Sequence, residues 1–227
     1  MSDIRPPRRR SGLLQDRSRR TRQLLIRTAL DLWSERGFED GIERTGVDEI
    51  VRAAGVTKGT FYFHFAHKEE IFLEMGFGTA EVVVEEAKRC VARERPLDDS
   101  IRRLTAVMSR HVRAAPPAAV GRSVAEFRRR PRNELLPGRP HIADGLELVF
   151  QAAMDRGELG DLVDARELAA MTAAVMMETL VDWVRRGIPL TQTLNRRAML
   201  LLDGVRDDVS GHHSYCLLYT SPSPRDS

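Results

Sequence analysis

The chain has 227 residues, of which 42% are hydrophobic and 30% are charged. This is the composition of an ordinary soluble protein with enough apolar material for a buried core. Its two cysteines, Cys90 and Cys216, match no metal-ligand spacing, and the N-terminus lacks the apolar segment of a signal peptide. The longest uncharged apolar run, residues 168–177, is too short to cross a bilayer. We therefore expect a cytoplasmic protein without structural disulfides and without a membrane partner.

Positive charge is concentrated at the N-terminus. The whole chain has a formal net charge of +3, whereas residues 1–27 alone carry +7, from nine arginines against two aspartates. A basic arm beside a balanced body predicts a polyanionic partner, although a solvated tail would have the same composition. The paired prolines and the arginine run predict disorder for residues 1–16.

A helical pattern begins at Arg17 and ends at Gly37, a residue typical of a helix C-terminus. Within it, apolar residues recur at i, i+3, i+4 and i+7, which places four of them on one face: Ile26, Ala29, Leu30 and Trp33. A polar loop is expected over residues 39–44. Thr45 and Asp48 then have the spacing of a capping box that opens a second helix.

The next stretch has the pattern of a helix-turn-helix. Gly55 interrupts the second helix and can adopt the left-handed conformation of a tight turn, and Thr57 can cap a third helix. Apolar residues suited to holding both helices against the first are Ile50, Val51, Ala54, Val56 and Phe61. A small polar face follows, as a helix that enters the DNA major groove requires. Its members are Thr57, Lys58, Gly59, Thr60 and Tyr62.

The remainder of the chain also reads as helix, broken by prolines and glycines, and it shows no strand alternation or internal repeat. The predicted segments are 67–92, 98–114, 117–130, 141–156, 165–186 and 190–207. Residues 210–227 have no helical period and resemble translated adapter sequence, with a genuine flexible tail as the alternative. The fold class is therefore predicted to be all-α.

The stretch from Gly37 to Lys68 is similar to the signature of the tetracycline-repressor (TetR) type of bacterial regulators, and the similarity extends over about residues 20–72. The matching positions are Gly37-Phe38, Val47, Ile50, Ala54-Gly55-Val56, Lys58 to Tyr62, His64-Phe65 and Lys68. The resemblance implies a homodimeric, ligand-responsive transcriptional repressor that binds palindromic double-stranded operator DNA. It also implies a helix-turn-helix domain over residues 17–66 and a helical ligand-binding and dimerisation domain over residues 67–209.

The resemblance assigns DNA contacts to individual residues. Lys58, Gly59 and Thr60 would face bases, beside Thr57. Tyr62, His64 and Lys68 would contact phosphates, and Thr45 would cap the second helix beside a phosphate. Tyr62 covering the edge of the core and His64 as an ordinary surface histidine are the alternatives. The sequence departs from the family pattern at Gly41 to Arg44, which look like an insertion, and at Gly46 and Val51.

The C-terminal domain is less specific in sequence. Residues 165–207 are expected to pair two protomers, with segment 165–186 buried on most sides; closing the core of one protomer is the alternative use. The candidate ligand-pocket residues are Met108, His111, Met176 and Trp183, and ordinary core packing is the competing interpretation. The arginines between positions 128 and 139 suit either an anionic ligand or a solvated loop. Gly76 and Gly78 are hypothesised to soften the helix that joins the domains.

Other functional classes find little support. The sequence has no His-Glu-x-x-His, no Cys-x-x-Cys, no phosphate-binding glycine loop and no nucleophile elbow. We expect no catalytic residues, no metal site and no cofactor. A ligand-independent DNA-binding regulator or an activator, and an interaction module that uses the basic arm, remain the alternatives.

Overall fold

The computed structural model describes residues 8–129, 138–160 and 164–206, with side chains described from residue 16 onward. Within these residues all regular secondary structure is helical, as predicted. The helices are α1 (Arg8–Glu35), α2 (Phe38–Arg44), α3 (Val47–Ala54), α4 (Lys58–His64), α5 (Glu70–Ala92), α6 (Leu97–Val112), α7 (Pro117–Arg129), α8 (Ile142–Asp155), α9 (Ala165–Arg186) and α10 (Leu190–Arg206). None of the described helices is both long enough and apolar enough to cross a membrane.

Helices α1 to α4 and the start of α5 enclose a small core that is rich in aromatic side chains. Trp33, Phe61, Phe65 and Phe72 are fully buried there, and the rings of Trp33 and Phe72 lie 5.2 Å apart. Large rings suit a small domain, because each of them buries much apolar surface for one residue. Ala119 of α7 also packs into this core, which joins it to the rest of the protein.

Helices α5 to α10 form a larger body around a mainly aliphatic core. Its central side chains come from every one of these helices and include Leu104, Leu146, Leu168 and Leu194. The helix bounds agree with the segments predicted from apolar periodicity to within a few residues. Asp164 caps α9 by accepting a hydrogen bond from the Glu167 amide at 2.7 Å.

Two local predictions at the N-terminus are wrong. Residues 39–44, predicted to be a loop, form helix α2 together with Phe38. This helix buries Ile42 and brings Gly41 so close to α1 that a Cβ there would lie 2.3 Å from the Trp33 carbonyl oxygen. Helix α1 begins at Arg8, so the disorder predicted for residues 1–16 does not extend to residues 8–16; residues 1–7 lie outside the described residues. The tail over residues 210–227 also lies outside them.

The capping box predicted at Thr45 and Asp48 is not formed. Helix α3 begins after Gly46 and has no side-chain cap. The Thr45 side chain is instead fully buried and accepts a hydrogen bond from Arg36 Nη1 at 3.2 Å. The preceding helix α2 ends at Arg44 and leaves Thr45 as its C-cap, which turns the threonine inward.

Within the single chain, helix α9 is buried on one side only. Leu168, Thr172 and Met176 face the body, whereas Ala170, Met171 and Ala174 are exposed in the single chain. The apolar residues that encircle the helix are therefore divided between the protomer core and an open face.

Candidate nucleic-acid interface and ligand cavity

Helices α3 and α4 are joined by a short turn whose backbone conformation depends on Gly55. This glycine has φ 66° and ψ 31°, a left-handed conformation that side chains other than glycine rarely adopt. The following amide, of Val56, donates to the Val51 carbonyl at 3.0 Å and closes the end of α3. The turn predicted from the sequence is therefore present, and it sets α4 across α3.

Thr57 begins α4 as predicted. Its Oγ1 accepts a hydrogen bond from the Thr60 amide at 3.1 Å and lies 2.8 Å from the Thr60 hydroxyl. The two hydroxyls satisfy each other, while both remain close to the surface. The cap fixes the first turn of α4, which is the part of a recognition helix that meets base edges.

The outward face of α4 contains a cation, an open glycine and a tyrosine. Lys58, Gly59 and Tyr62 are exposed. Lys58 Nζ lies 2.9 Å from Asp48 of α3, and this hydrogen-bonded carboxylate raises the pKa of the lysine. Apart from its chain neighbours and the helix backbone, the described atom nearest to a Cβ built on Gly59 is Thr57 Oγ1 at 3.8 Å, so the helix surface is open there.

Phe63 belongs to the same exposed face and was missed by the sequence reasoning. Its side chain is 78% exposed, which is the largest value among the exposed large hydrophobic residues described. It lies four residues after Gly59, so helical spacing places the two on one side of α4. That spacing is the signal by which the residue could have been found.

The other residues predicted to contact phosphates, Thr45, His64 and Lys68, lie further inside the protein. Lys68 Nζ donates to the backbone carbonyls of Ile42 and Thr45, the latter at 3.1 Å, and so ties α5 to the end of α2. His64 is partly buried beside Arg22, and burial, followed by the charge of this arginine, lowers the pKa of its imidazole. The structure therefore gives Lys68 and Thr45 partners within the protein, and it places His64 against α1.

A cavity of about 750 Å³ lies where the N-terminal domain meets the body. It is bounded by α1, α5, α6, α7, α8 and α9 and by the residues that lead into α8. Apolar side chains form most of its wall, among them Ile26, Met75, Val124, Phe127, Met177 and Leu180. Its size and lining are those of a small-molecule site.

Of the four predicted pocket residues, only His111 lines this cavity. Met108 and Met176 are buried in the aliphatic core, and Trp183 packs against that core. These three residues lie outside this cavity, because the side of each helix that faces it is set by packing that periodicity does not resolve. Burial lowers the pKa of His111, and the nearby charge of Glu81 acts in the opposite direction.

One end of the cavity is charged. Glu74 of α5, with a side chain only 10% exposed, binds two arginines through the same oxygen. Arg22 Nη1 of α1 lies 3.2 Å from Glu74 Oε2, and Arg139 Nη2 lies 2.8 Å from it. The Arg139 guanidinium also stacks on Phe77, with 4.6 Å between its central carbon and the ring centroid. Three segments of the chain therefore meet at one carboxylate.

The two glycines of α5 have different surroundings. A Cβ on Gly76 would lie 2.0 Å from the ring of Phe127, whereas a Cβ on Gly78 would meet His111 Nε2 at an ordinary 3.6 Å. Helix α5 runs unbroken through both positions. Gly76 thus allows a close approach of α7 to α5, and that is a packing reason for this glycine.

The comparisons with known proteins agree with this architecture. The family model described as bacterial regulatory proteins, tetR family, matches residues 25–75. The HTH-type transcriptional regulator TcmR of Streptomyces glaucescens is 47% identical over 62 residues, which span 27% of this chain and 26% of that protein. The fatty acid metabolism regulator protein of Bacillus subtilis (strain 168) is 25% identical over 185 residues, 74% of this chain and 89% of the relative.

Among solved structures, FadR of Thermus thermophilus, a TetR-family repressor crystallised with lauroyl-CoA, has a TM-score of 0.63 at 22% identity. The match covers 90% of this chain and all of that one. The chain spans only about a quarter of the length of the first curated relatives it matches, 26% and 24%. The fold and the α3–α4 site define a helix-turn-helix protein. Over residues 25–75 its N-terminal domain is similar to the tetR family of bacterial regulatory proteins.

Proposed function

We propose that this protein is a dimeric, sequence-specific DNA-binding repressor that a small-molecule ligand releases from a palindromic operator. The observation that carries the proposal is the N-terminal end of α4, where a capped and exposed polar face stands on a helix-turn-helix. Such a face fits the major groove, in which side chains read base edges.

The proposed interface assigns a different task to each exposed group. Lys58 can leave Asp48 for a base edge or a phosphate, because both side chains are more than half exposed and an exposed ion pair contributes little. Tyr62 can donate its hydroxyl to a phosphate, and Phe63 can contact a thymine methyl. The exposed arginines of α1, among them Arg17, Arg19 and Arg20, add attraction for the phosphate backbone.

A dimer is supported by the unpartnered apolar surface of the last two helices. Met171 of α9 is 44% exposed and Leu200 of α10 is 63% exposed, on helices that otherwise face the core. Two such helices from each protomer can pair across a twofold axis as a four-helix bundle. Two recognition helices then bind half-sites about 34 Å apart, which multiplies affinity and specificity.

The cavity supports regulation by a ligand. It touches α1 of the N-terminal domain and α5 to α9 of the body, so an occupant contacts both parts. A ligand that binds better to a conformation with altered half-site spacing lowers the affinity for the operator by population shift. The T. thermophilus FadR complex with lauroyl-CoA is a ligand-bound protein of similar fold.

The test is selection of bound duplexes from a random-sequence DNA library with the purified full-length chain at physiological salt. We expect one short palindrome, with half-sites one helical turn apart. Lys58→Ala should weaken binding to that palindrome by about 1–3 kcal/mol. Lys88→Ala, which removes an exposed lysine near the C-terminal end of α5, is the matched control and should bind as the unaltered chain does. Binding that follows salt concentration alone, with no enriched sequence, would contradict the proposal.

A further inference from the structure

The charged end of the cavity contains more positive charge than its carboxylates balance. The cavity wall includes two acidic side chains, Glu74 and Glu81. It also includes four arginines: Arg19, Arg22, Arg27 and Arg139. Because the opposite wall is apolar, a ligand that fills the whole space must combine an apolar part with a group that satisfies this excess.

The arginine donors are only partly satisfied by the protein. Arg22 and Arg139 both bind the single oxygen Oε2 of Glu74, and Arg139 Nη2 also lies 3.6 Å from Glu81 Oε1. The Nε atoms of these two arginines are buried and have no hydrogen-bond partner within the described part of the chain. A guanidinium has five donors in a planar fork that suits a carboxylate or phosphate with two oxygens, so one shared oxygen uses this fork poorly.

We propose that Arg22 and Arg139 form the anion site of the cavity, and that Glu74 occupies this site in the ligand-free protein. The ligand is an amphipathic acid. Its apolar part lies against Met75, Val124 and Leu180, and its carboxylate or phosphate binds the two guanidiniums in place of the Glu74 carboxylate. The protein thus contains an internal competitor for its own ligand.

The same displacement reaches the DNA-binding domain. Arg22 lies on α1, one turn before the buried Leu25, whereas Glu74 lies on α5. The Arg22–Glu74 ion pair therefore joins α1 directly to the helix that enters the body. A ligand anion that breaks this ion pair removes a link between the two domains. This part of the inference rests on the proposed function, whereas the anion site does not.

The experiment measures binding by calorimetry with three probes of equal chain length: decanoate, decyl phosphate and the neutral decanamide. We expect at least one of the acids to bind the full-length chain about tenfold or more tightly than decanamide, since a hydrogen bond to a charged group has this magnitude. The ratio of the dissociation constant of decanamide to that of the acid should fall towards one in Arg139→Gln. It should be retained in Arg129→Gln, which removes an exposed arginine outside the cavity. The comparison of probes on the unaltered chain needs no variant to fold.

Removing the internal competitor gives the opposite effect. Glu74→Gln keeps the shape of the side chain, loses its charge, and should tighten binding of the acids by about tenfold while decanamide is unaffected. Glu85→Gln, at an exposed position of α5, should leave all three affinities unchanged. Equal binding of decanamide and both acids, or a preference for acids that survives in Arg139→Gln, would overturn the proposal.

The effect on DNA binding is measured separately from the calorimetry. On the selected palindrome, Glu74→Gln should weaken binding by about tenfold without ligand, because the α1–α5 link is already broken. Unchanged operator binding by Glu74→Gln would overturn the link to DNA while leaving the anion site standing. A library that yields no palindrome would overturn the proposed function, while the calorimetric result would still decide the anion site.

Discussion

The N-terminal domain and the helical body are both all-helical, but their cores differ in composition and packing. The N-terminal domain packs fully buried aromatic rings such as Trp33 and Phe61 into a small core, and its exposed face is set by one capped turn. The body has an aliphatic core and leaves a cavity of about 750 Å³ at its edge. These differences suit the proposed functions, because a surface that reads DNA must be held rigidly, whereas a domain that binds a ligand needs an internal cavity.

This difference between the two regions shows how each candidate site is encoded in the sequence. The proposed DNA-binding face depends on a few consecutive residues between Gly55 and Phe63, so a short match suffices to identify it. The cavity draws its wall from six helices and from the residues before α8, and no single segment describes it. Regulators can therefore share the first domain while they differ in the second.

The largest expected effect separates core from interface within α4. Phe61 is fully buried and Phe63 is 78% exposed, two positions apart. Phe61→Ala should lower the free energy of unfolding by about 3–5 kcal/mol, because it leaves a cavity in a small core. Phe63→Ala should change it by no more than about 0.5 kcal/mol, and should instead weaken operator binding by about 1–3 kcal/mol.

Urea unfolding measures the first quantity, with Trp33 fluorescence as the probe in a Trp183→Phe background. Each phenylalanine variant serves as the control for the other, since the chemical change is identical. A large loss of stability in Phe63→Ala would mean that this side chain is part of the core, and the distinction between the two faces of α4 would fail.

An intermediate effect separates the two glycines of α5. Gly76→Ala should destabilise the protein by about 1–3 kcal/mol, because the new Cβ would overlap the Phe127 ring. Gly78→Ala meets only ordinary contact and should stabilise the helix by up to about 1 kcal/mol. Thermal unfolding of both variants provides the comparison.

The same pair tests the hypothesis that these glycines soften α5. Gly78→Ala stiffens the helix without steric overlap, so a ligand response that is unchanged in this variant would argue against flexibility at this position. Combining Gly76→Ala with Phe127→Ala should recover part of the lost stability. Failure to recover any would show that the ring is not the cause.

The smallest effect is a pH dependence present in both regions. Burial lowers the pKa of His64, with help from Arg22, and it also lowers the pKa of His111. The unfolded chain, with histidine pKa values of about 6.5, then binds more protons than the folded chain. The free energy of unfolding should therefore decrease as the pH falls through about 6.5, and level off below the folded pKa values.

Urea unfolding at a series of pH values measures this slope. His64→Gln should remove the part of this pH dependence that arises in the N-terminal domain. His111→Gln should remove the part that arises at the cavity. Both variants should match the slope of the unaltered chain well above pH 6.5, where all imidazoles are neutral. A slope that neither variant reduces would mean that other groups cause the acid sensitivity.

The sequence by itself determined the features that depend on neighbours in the chain. Apolar periodicity located the helices of the body, Gly55 and Thr57 located the turn and the cap, and the run from Lys58 to Tyr62 located the exposed face of α4. These are local because a helix, a cap and a tight turn are each defined by hydrogen bonds between residues a few positions apart. Helix α2 was missed because packing on α1, rather than periodicity, supports it.

Only the tertiary structure decided which side chains line the cavity and which charges meet there. Periodicity places Met108 and Met176 on apolar faces but cannot say that these faces turn to the core while Met177 turns to the cavity. The pairing of Glu74 with Arg22 and Arg139 joins residues 52 and 65 positions apart. Such contacts follow from how whole helices pack against one another, and no local pattern in the chain records that arrangement.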